Sequence, residues 1–162
     1  MIGLTRVSDG TYFMVYEYFG LEDGEGYYKT TDDITKWNPT DPGTKLSDNG
    51  YMLSGAPACV STCLVGGTEV LIVSGKHVSK SSEEKETSPR LFISFDKGET
   101  WDSFENFLPY EPDNDALDTN RIGHSSSFFV GEDPSVIYYM SCTDVPGTGR
   151  QRIQFARVRI YA

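Results

Sequence analysis

The sequence predicts an all-β protein, and three observations carry that prediction. Aromatic residues make up 13% of the chain, with ten Tyr and nine Phe, and they fall with β-branched residues in short runs. Side chains of that kind suit a pleated, half-buried surface. The runs are punctuated by Gly, Pro, Asp and Ser, the residues that build tight turns. Long windows of Ala, Leu, Glu and Lys at helical period are absent. At 162 residues the chain can bury one sizeable core, and nothing requires a second domain.

Taken in order, the elements fall into three similar units, about residues 1–50, 51–112 and 113–162. In the first, an inner strand over 3–7 meets the turn Ser8-Asp9-Gly10, and a second strand covers 11–18. An acidic, Gly-rich loop over 22–26 leads to a third strand over 27–30 and a short outer strand near Lys45-Leu46-Ser47. The second unit has an inner strand over 55–60, the turn Gly66-Gly67 and a second strand over 68–73. A hydrophilic excursion over 76–89 reads as a solvated loop, followed by a strand over 90–95 and an outer strand around 103–108. The third unit has strands over 123–130, 135–142 and 153–160, with 144–149 as a loop.

The most specific stretch is Ser94-Phe95-Asp96-Lys97-Gly98-Glu99-Thr100-Trp101. A strand runs into a turn where the Ser hydroxyl and the Asp carboxylate can accept backbone amides, Gly98 supplies a positive φ, and Trp101 re-enters the core. A hydroxyl, an Asp and a Trp recur at the same offsets in Thr30, Asp32 and Trp37, with Ile34 in the glycine's place. The pattern resembles the Asp box, Ser-x-Asp-x-Gly-x-x-Trp, of sialidases and related β-propellers. In that superfamily the box is a structural hairpin on a blade rim, away from the active centre.

Units of about 50 residues with four short antiparallel strands are propeller blades. The predicted architecture is therefore a partial β-propeller of about three blades, half of a six-bladed one. Propellers have at least about four blades, so an isolated arc of three leaves two apolar sheet faces in water. The expected partner is the remaining half of the propeller, supplied either by the same polypeptide or by a twofold-related copy.

Candidate chemistry follows from comparing the units, because a site must break a symmetry that packing preserves. Where the inner strands begin, Met1 and Leu4 of the first unit and Leu53 and Ala56 of the second correspond to Arg121 and His124 of the third. A cation and an imidazole there suit a sugar hydroxyl or carboxylate; the plainer account is an exposed loop balancing Asp115 and Asp118. Where the second strands end, Glu17 corresponds to Ser74 and Met140. A carboxylate there suits a general acid, or a nucleophile beside a cation; the plainer account is an edge Glu pairing with Lys29 or Lys76. Tyr18, Phe19, Tyr27 and Tyr28 can stack on sugar faces, although strand spacing assigns about half of them to the core.

The phrase from Gly3 through Gly10-Thr11-Tyr12-Phe13-Met14-Val15-Tyr16-Glu17 resembles the blade opening of sialidase-superfamily glycosidases, in particular the exo-arabinanase type. Leu4-Thr5 stands where the usual small-Pro pair is kept in Ala56-Pro57. The resemblance implies a glycoside hydrolase acting on glycans, with Glu17 as a catalytic carboxylate and Arg121, His124 and Tyr18 binding substrate. It implies a secreted or periplasmic location for the complete protein. A non-catalytic Asp-box module binding glycan or protein is the alternative.

The formal charge of −10 disfavours nucleic acid, whose phosphates such a surface repels. No apolar run of about 18 residues points to a membrane, and Met1 leads straight into a strand rather than a signal peptide. Three cysteines are too few for a disulfide framework. Cys59 and Cys63 lie roughly 13 Å apart if that strand is regular, so free buried thiols are expected. No cofactor is expected. His77 and His124 are the only histidines and lack zinc-ligand spacing, residues 144–149 lack the Lys-Ser/Thr of a phosphate loop, and Ser125-Ser126-Ser127 lacks the elbow glycines of a hydrolase serine.

Overall fold

Strand β2 (Tyr12–Tyr18) shows how the chain uses its alternation: Phe13 and Val15 are buried, while Tyr12, Met14 and Tyr16 are half-buried on the other face. The computed structural model describes residues 2–18, 25–48, 51–53, 59–78, 87–104, 122–145 and 150–161, and the regular structure among them is all β-strand. Strand β2 pairs with β1 (Ile2–Arg6) and β3 (Glu25–Thr31), and β4 (Thr44–Lys45) completes an antiparallel sheet in the order β1-β2-β3-β4. The turn from β1 to β2 closes through the Val7 amide to the Thr11 carbonyl (2.8 Å) and the Thr11 amide to Asp9 Oδ1 (2.9 Å), with Gly10 at φ 96°.

The second sheet is built on β8 (Thr68–Val78). One edge of β8 carries β9 (Thr87–Ser94) and then β10 (Asp102–Phe104). Its other edge is shared: β7 (Cys59–Val65) pairs along Thr68 to Ser74, and β6 (Tyr51–Leu53) pairs at His77 and Val78, followed by β5 (Ser47–Asp48). The third sheet has the order β11 (Ile122–Val130), β12 (Val136–Val145), β13 (Arg150–Arg159). None of the three sheets closes on itself.

Several expected boundaries shift, each for a local reason. Ser47 belongs to the second sheet, not to an outer strand of the first. Leu46 is fully buried in the core between the two sheets and donates its amide to the Gly26 carbonyl (2.9 Å), so the chain crosses from one sheet to the other at that residue. The hydrophilic excursion is shorter than 76–89, because β8 and β9 stay paired out to Val78 and Thr87. Backbone ladders need no apolar side chains to continue. Likewise Asp144 and Val145 belong to β12 rather than to a loop. Expectations on residues 19–24, 54–58, 79–86, 105–121 and 146–149 lie outside the described residues.

Sheet two is covered on both faces. Leu71, Val73 and Phe92 meet Phe13, Val15, Leu46 and Trp101 on the side of sheet one. Val70, Ile72, Leu91 and Ile93 meet Phe128, Ile137, Tyr139 and Ala156 on the side of sheet three. This explains the near-continuous apolar runs of β8 and β9, since a strand buried on both faces cannot alternate. Strand β7 lies beside β1 and also beside β11. A Cβ on Gly3 would stand 3.1 Å from the Val60 amide nitrogen, so this glycine permits the close approach of β1 to β7. Cys59 and Cys63 are free thiols; Cys59 Sγ donates to the Phe128 carbonyl (3.3 Å), and burial pushes the Cys63 thiol up to about 11.

Candidate functional site

The three first strands share one direction, which gives the molecule two distinct ends. At the hairpin end lie the turns Ser8-Asp9-Gly10, Gly66-Gly67 and residues 131–135. The turn after β9 is at this end too, since Ser94 pairs with Leu71. The far end holds Ile2, Cys59 and Ile122, where the first strands begin, and Tyr18, where β2 finishes.

The turn after β9 is closed by its own side chains. Ser94 is buried; its Oγ accepts the Gly98 amide (2.7 Å) and donates to Asp96 Oδ1 (2.8 Å). The Asp96 carboxylate also accepts the Thr100 amide (2.8 Å) and hydroxyl (2.5 Å). Lys97 and Gly98 both take positive φ, 61° and 96°, and the buried Trp101 donates its indole N–H to the Gly98 carbonyl (3.0 Å). Its ring lies 5.9 Å from Phe13 and 6.3 Å from Tyr28. Burial works to raise the Asp96 carboxyl, but the Thr100 and Ser94 bonds outweigh it and hold the group below its ordinary value.

The turn after β3 does not copy this one. Its polar roles fall on Thr31 and Asp33 rather than Thr30 and Asp32: Asp33 Oδ1 accepts the Thr35 amide (3.0 Å) and hydroxyl (2.7 Å), and the Asp33 amide donates to Thr31 Oγ1 (3.2 Å). Without a glycine at Ile34 the chain closes instead through the Lys36 amide and the Asp33 carbonyl (2.8 Å). Trp37 is half-buried.

The hairpin end is also stapled between sheets. Glu69 accepts the Ser8 amide at 3.1 and 3.0 Å and the Ser8 hydroxyl at 2.5 Å, and Lys97 Nζ pairs with Asp9. The Leu64 amide donates to the Pro134 carbonyl (2.9 Å). These contacts fix the three sheets to one another at the end where structure is reinforced. Ligand chemistry is left to the far end.

There, Glu17 is half-buried near the end of β2, on the face that Phe13 and Val15 turn toward sheet two. Tyr18 follows it onto the opposite face, exposed and edge-on to Tyr27 (5.4 Å), so the two nominated neighbours serve different surfaces. Tyr27 stacks toward Tyr16 (6.3 Å), whereas Tyr28 is stacked on Phe13 (4.8 Å) and belongs to the core. Tyr16 donates its hydroxyl to the Pro42 carbonyl; burial first, then Asp41, pushes its phenol up to about 12. Arg121 lies outside the described residues. His124 is placed by its backbone in β11.

That placement carries a signal which spacing alone missed. Ile122 faces Thr143 across the ladder and Ser126 faces Ser141, so β11 spends four steps where β12 spends two. The irregularity spans Gly123, His124 and Ser125. Bulges re-aim side chains and are common beside active sites. The sequence hint was Gly123 inside a strand pattern, a recognised mark of a bulge. Ser74, also toward the far end, is a buried polar residue between the two cores. The far end thus sets a carboxylate on β2 and an imidazole-bearing bulge on β11 at the same side of three neighbouring first strands.

No protein-family model and no curated protein matches the chain. A solved structure described as "Glycoside hydrolase" overlays on 99% of this chain with a TM-score of 0.52 at 16% sequence identity. A second, described as a complex of BT0996 and RGII, overlays on 99% of the chain and 53% of its own with a TM-score of 0.47 at 13% identity. The chain spans about half of the first structure's length, 55%. Over that span the fold is glycoside hydrolase-like.

Proposed function

We propose that the three sheets are blades of a sialidase-superfamily β-propeller, half of a six-bladed ring, and that the chain belongs to a glycoside hydrolase acting on glycans outside the cytoplasm. The observation that carries this reading is the turn from Ser94 to Trp101. Every position of Ser-x-Asp-x-Gly-x-x-Trp is used there: the hydroxyl and carboxylate take amides, the glycine turns left-handed, and the indole is buried. The overlay on a glycoside hydrolase at the level of fold supports it.

In this reading the far end lines the axis of the ring. Glu17 is one of the two carboxylates that flank a scissile glycosidic bond, protonating the leaving oxygen or attacking the anomeric carbon. Arg121 and His124 grip a sugar hydroxyl or carboxylate, and Tyr18 offers a stacking face. The second carboxylate belongs to the other half of the ring.

Turnover of 4-nitrophenyl arabinofuranosides and sialosides, with the complementing half present, tests the assignment. Glu17→Gln is expected to lower turnover by about 10²- to 10⁴-fold with the melting temperature unchanged. Unchanged turnover removes Glu17 from the chemistry. Glycan binding without any turnover in the unmutated chain converts the enzyme into a binding module.

A further inference from the structure

We infer that the outward face of sheet three docks on the outward face of sheet one of a second copy, and that the reciprocal contact closes a twofold dimer of six sheets. The inference rests on the fanned-sheet part of the proposed function and not on its chemistry.

Sheet two sets the rule by which this chain treats such faces, since both of its faces are apolar and both are covered by a neighbouring sheet. Sheet three is covered on one face only. Its other face shows Ile153 (73% exposed), Phe155 (54%) and Phe129 (52%), with Met140 beside them. Phe129, Tyr138 and Phe155 stack across the three strands at 5.0 and 5.9 Å. These side chains offer on the order of 400 Å² of contiguous apolar area, the size that marks an interaction surface. Sheet one bounds the arc on the opposite side with Ile2 (70%) and Leu4 (45%) outward, next to Met14 and Tyr18.

Three arguments choose a second copy as the occupant. In both internal contacts the first strand of one sheet lies beside the first strand of the next, β1 by β7 and β7 by β11. The two outward faces are therefore the unmatched halves of a contact the chain already makes twice, and placing β11 of one copy beside β1 of another repeats it. Second, one copy covers 55% of the overlaid glycoside hydrolase, so two copies span that length. Third, a twofold axis satisfies both open faces of both copies with two identical contacts, leaving none in water. The formal charge of −10 on each copy opposes association, so an apolar contact must drive it and added salt should strengthen it by screening.

Sedimentation equilibrium is the test, because it reads mass and not activity. The expected mass is twice 18.1 kDa, with the dissociation constant falling as salt is raised. Phe155→Glu and Leu4→Glu, both at exposed positions on the faces, should each weaken the dimer about tenfold or more. Ile34→Glu adds the same charge at an exposed position outside both faces and should leave the mass unchanged. An equimolar mixture of the Phe155→Glu and Leu4→Glu chains should dimerise better than either alone, since one of the two contacts then joins unaltered faces. A mass of 18.1 kDa at every concentration, a mass that grows past two copies, or a dimer indifferent to Leu4→Glu overturns the inference. A monomer that hydrolyses glycosides would defeat the dimer alone. A dimer in which Glu17→Gln retains full turnover would defeat only the catalytic assignment.

Discussion

In the turn after β9, Ser94 and Asp96 gather four hydrogen bonds, two successive residues swing to positive φ, and Trp101 returns to the core against Phe13 and Tyr28. In the turn after β3 the same residue types serve one position later, and Trp37 stays half-buried. The difference traces to the fifth position. A Cβ on Gly98 would meet the Phe13 ring at 2.7 Å, so the turn can lie down on sheet one only because that atom is missing. Ile34 has no such freedom. One turn is a joint between two sheets, and the other is an ordinary loop closure. Hydroxyl, carboxylate and indole at matching offsets do not make a joint unless a glycine lets the backbone approach.

The widest separation between the two turns should appear when the indoles are removed. Trp101→Ala deletes a buried ring at the seam of sheets one and two, a change that typically costs about 3–5 kcal/mol. Trp37→Ala removes a ring already half in water and should cost about 1 kcal/mol or less. Urea unfolding midpoints of the two variants measure the contrast. Equal losses would mean that the second turn is as much a structural joint as the first.

What the residues announced in advance follows the same division. The turn Ser94 to Trp101 was legible because each of its residues acts within the turn, through bonds no longer than four positions in sequence. Hairpins at Gly10 and Gly66-Gly67 were legible for the same reason. The crossing at Leu46 was not, since its cause is burial between two sheets that the local sequence cannot see. Nor was the length of β8 and β9, where pairing outlasts the apolar run. At the far end, Glu17 was found by its flanking aromatics, but the opposite facing of Tyr18 is a consequence of strand pleat that listing exposed aromatics ignores. The bulge at His124 depends on the register against β12, which is a property of the pair and not of β11 alone.

A smaller contrast is expected from the backbone itself. Gly98→Ala places a Cβ at φ 96° and against the Phe13 ring, so strain and steric overlap together should cost about 2–3 kcal/mol. Ile34→Gly changes a residue that needs no positive φ and should cost about 1 kcal/mol or less, mostly through the unfolded chain. If thermal melting finds the two variants equally stable, the close approach at Gly98 is not what distinguishes the turns.

Acid should erase the contrast rather than enlarge it. The Lys97 ammonium, followed by the Thr11 amide, lowers Asp9 to about 2. Hydrogen bonds from the Thr35 hydroxyl and amide lower Asp33, and those from Thr100 and Ser94 lower Asp96 against its burial. A carboxyl depressed in the folded state binds protons more tightly when unfolded. Its stabilisation is therefore complete above the ordinary carboxylate range near pH 4 and is lost as pH falls through the depressed value. For Asp9 that window runs from about pH 4 down to about pH 2. All three groups are at the surface, so each contributes a shallow slope, and both turns weaken together. Melting temperatures followed through this window should fall less steeply in Asp9→Asn than in the unmutated chain. The slope should be unchanged in Gly98→Ala, which alters the approach of the sheets without touching a titrating group. If Asp9→Asn tracks the unmutated chain all the way down, the Lys97–Asp9 staple contributes nothing, and the joint between sheets one and two rests on Trp101 and its aromatic neighbours.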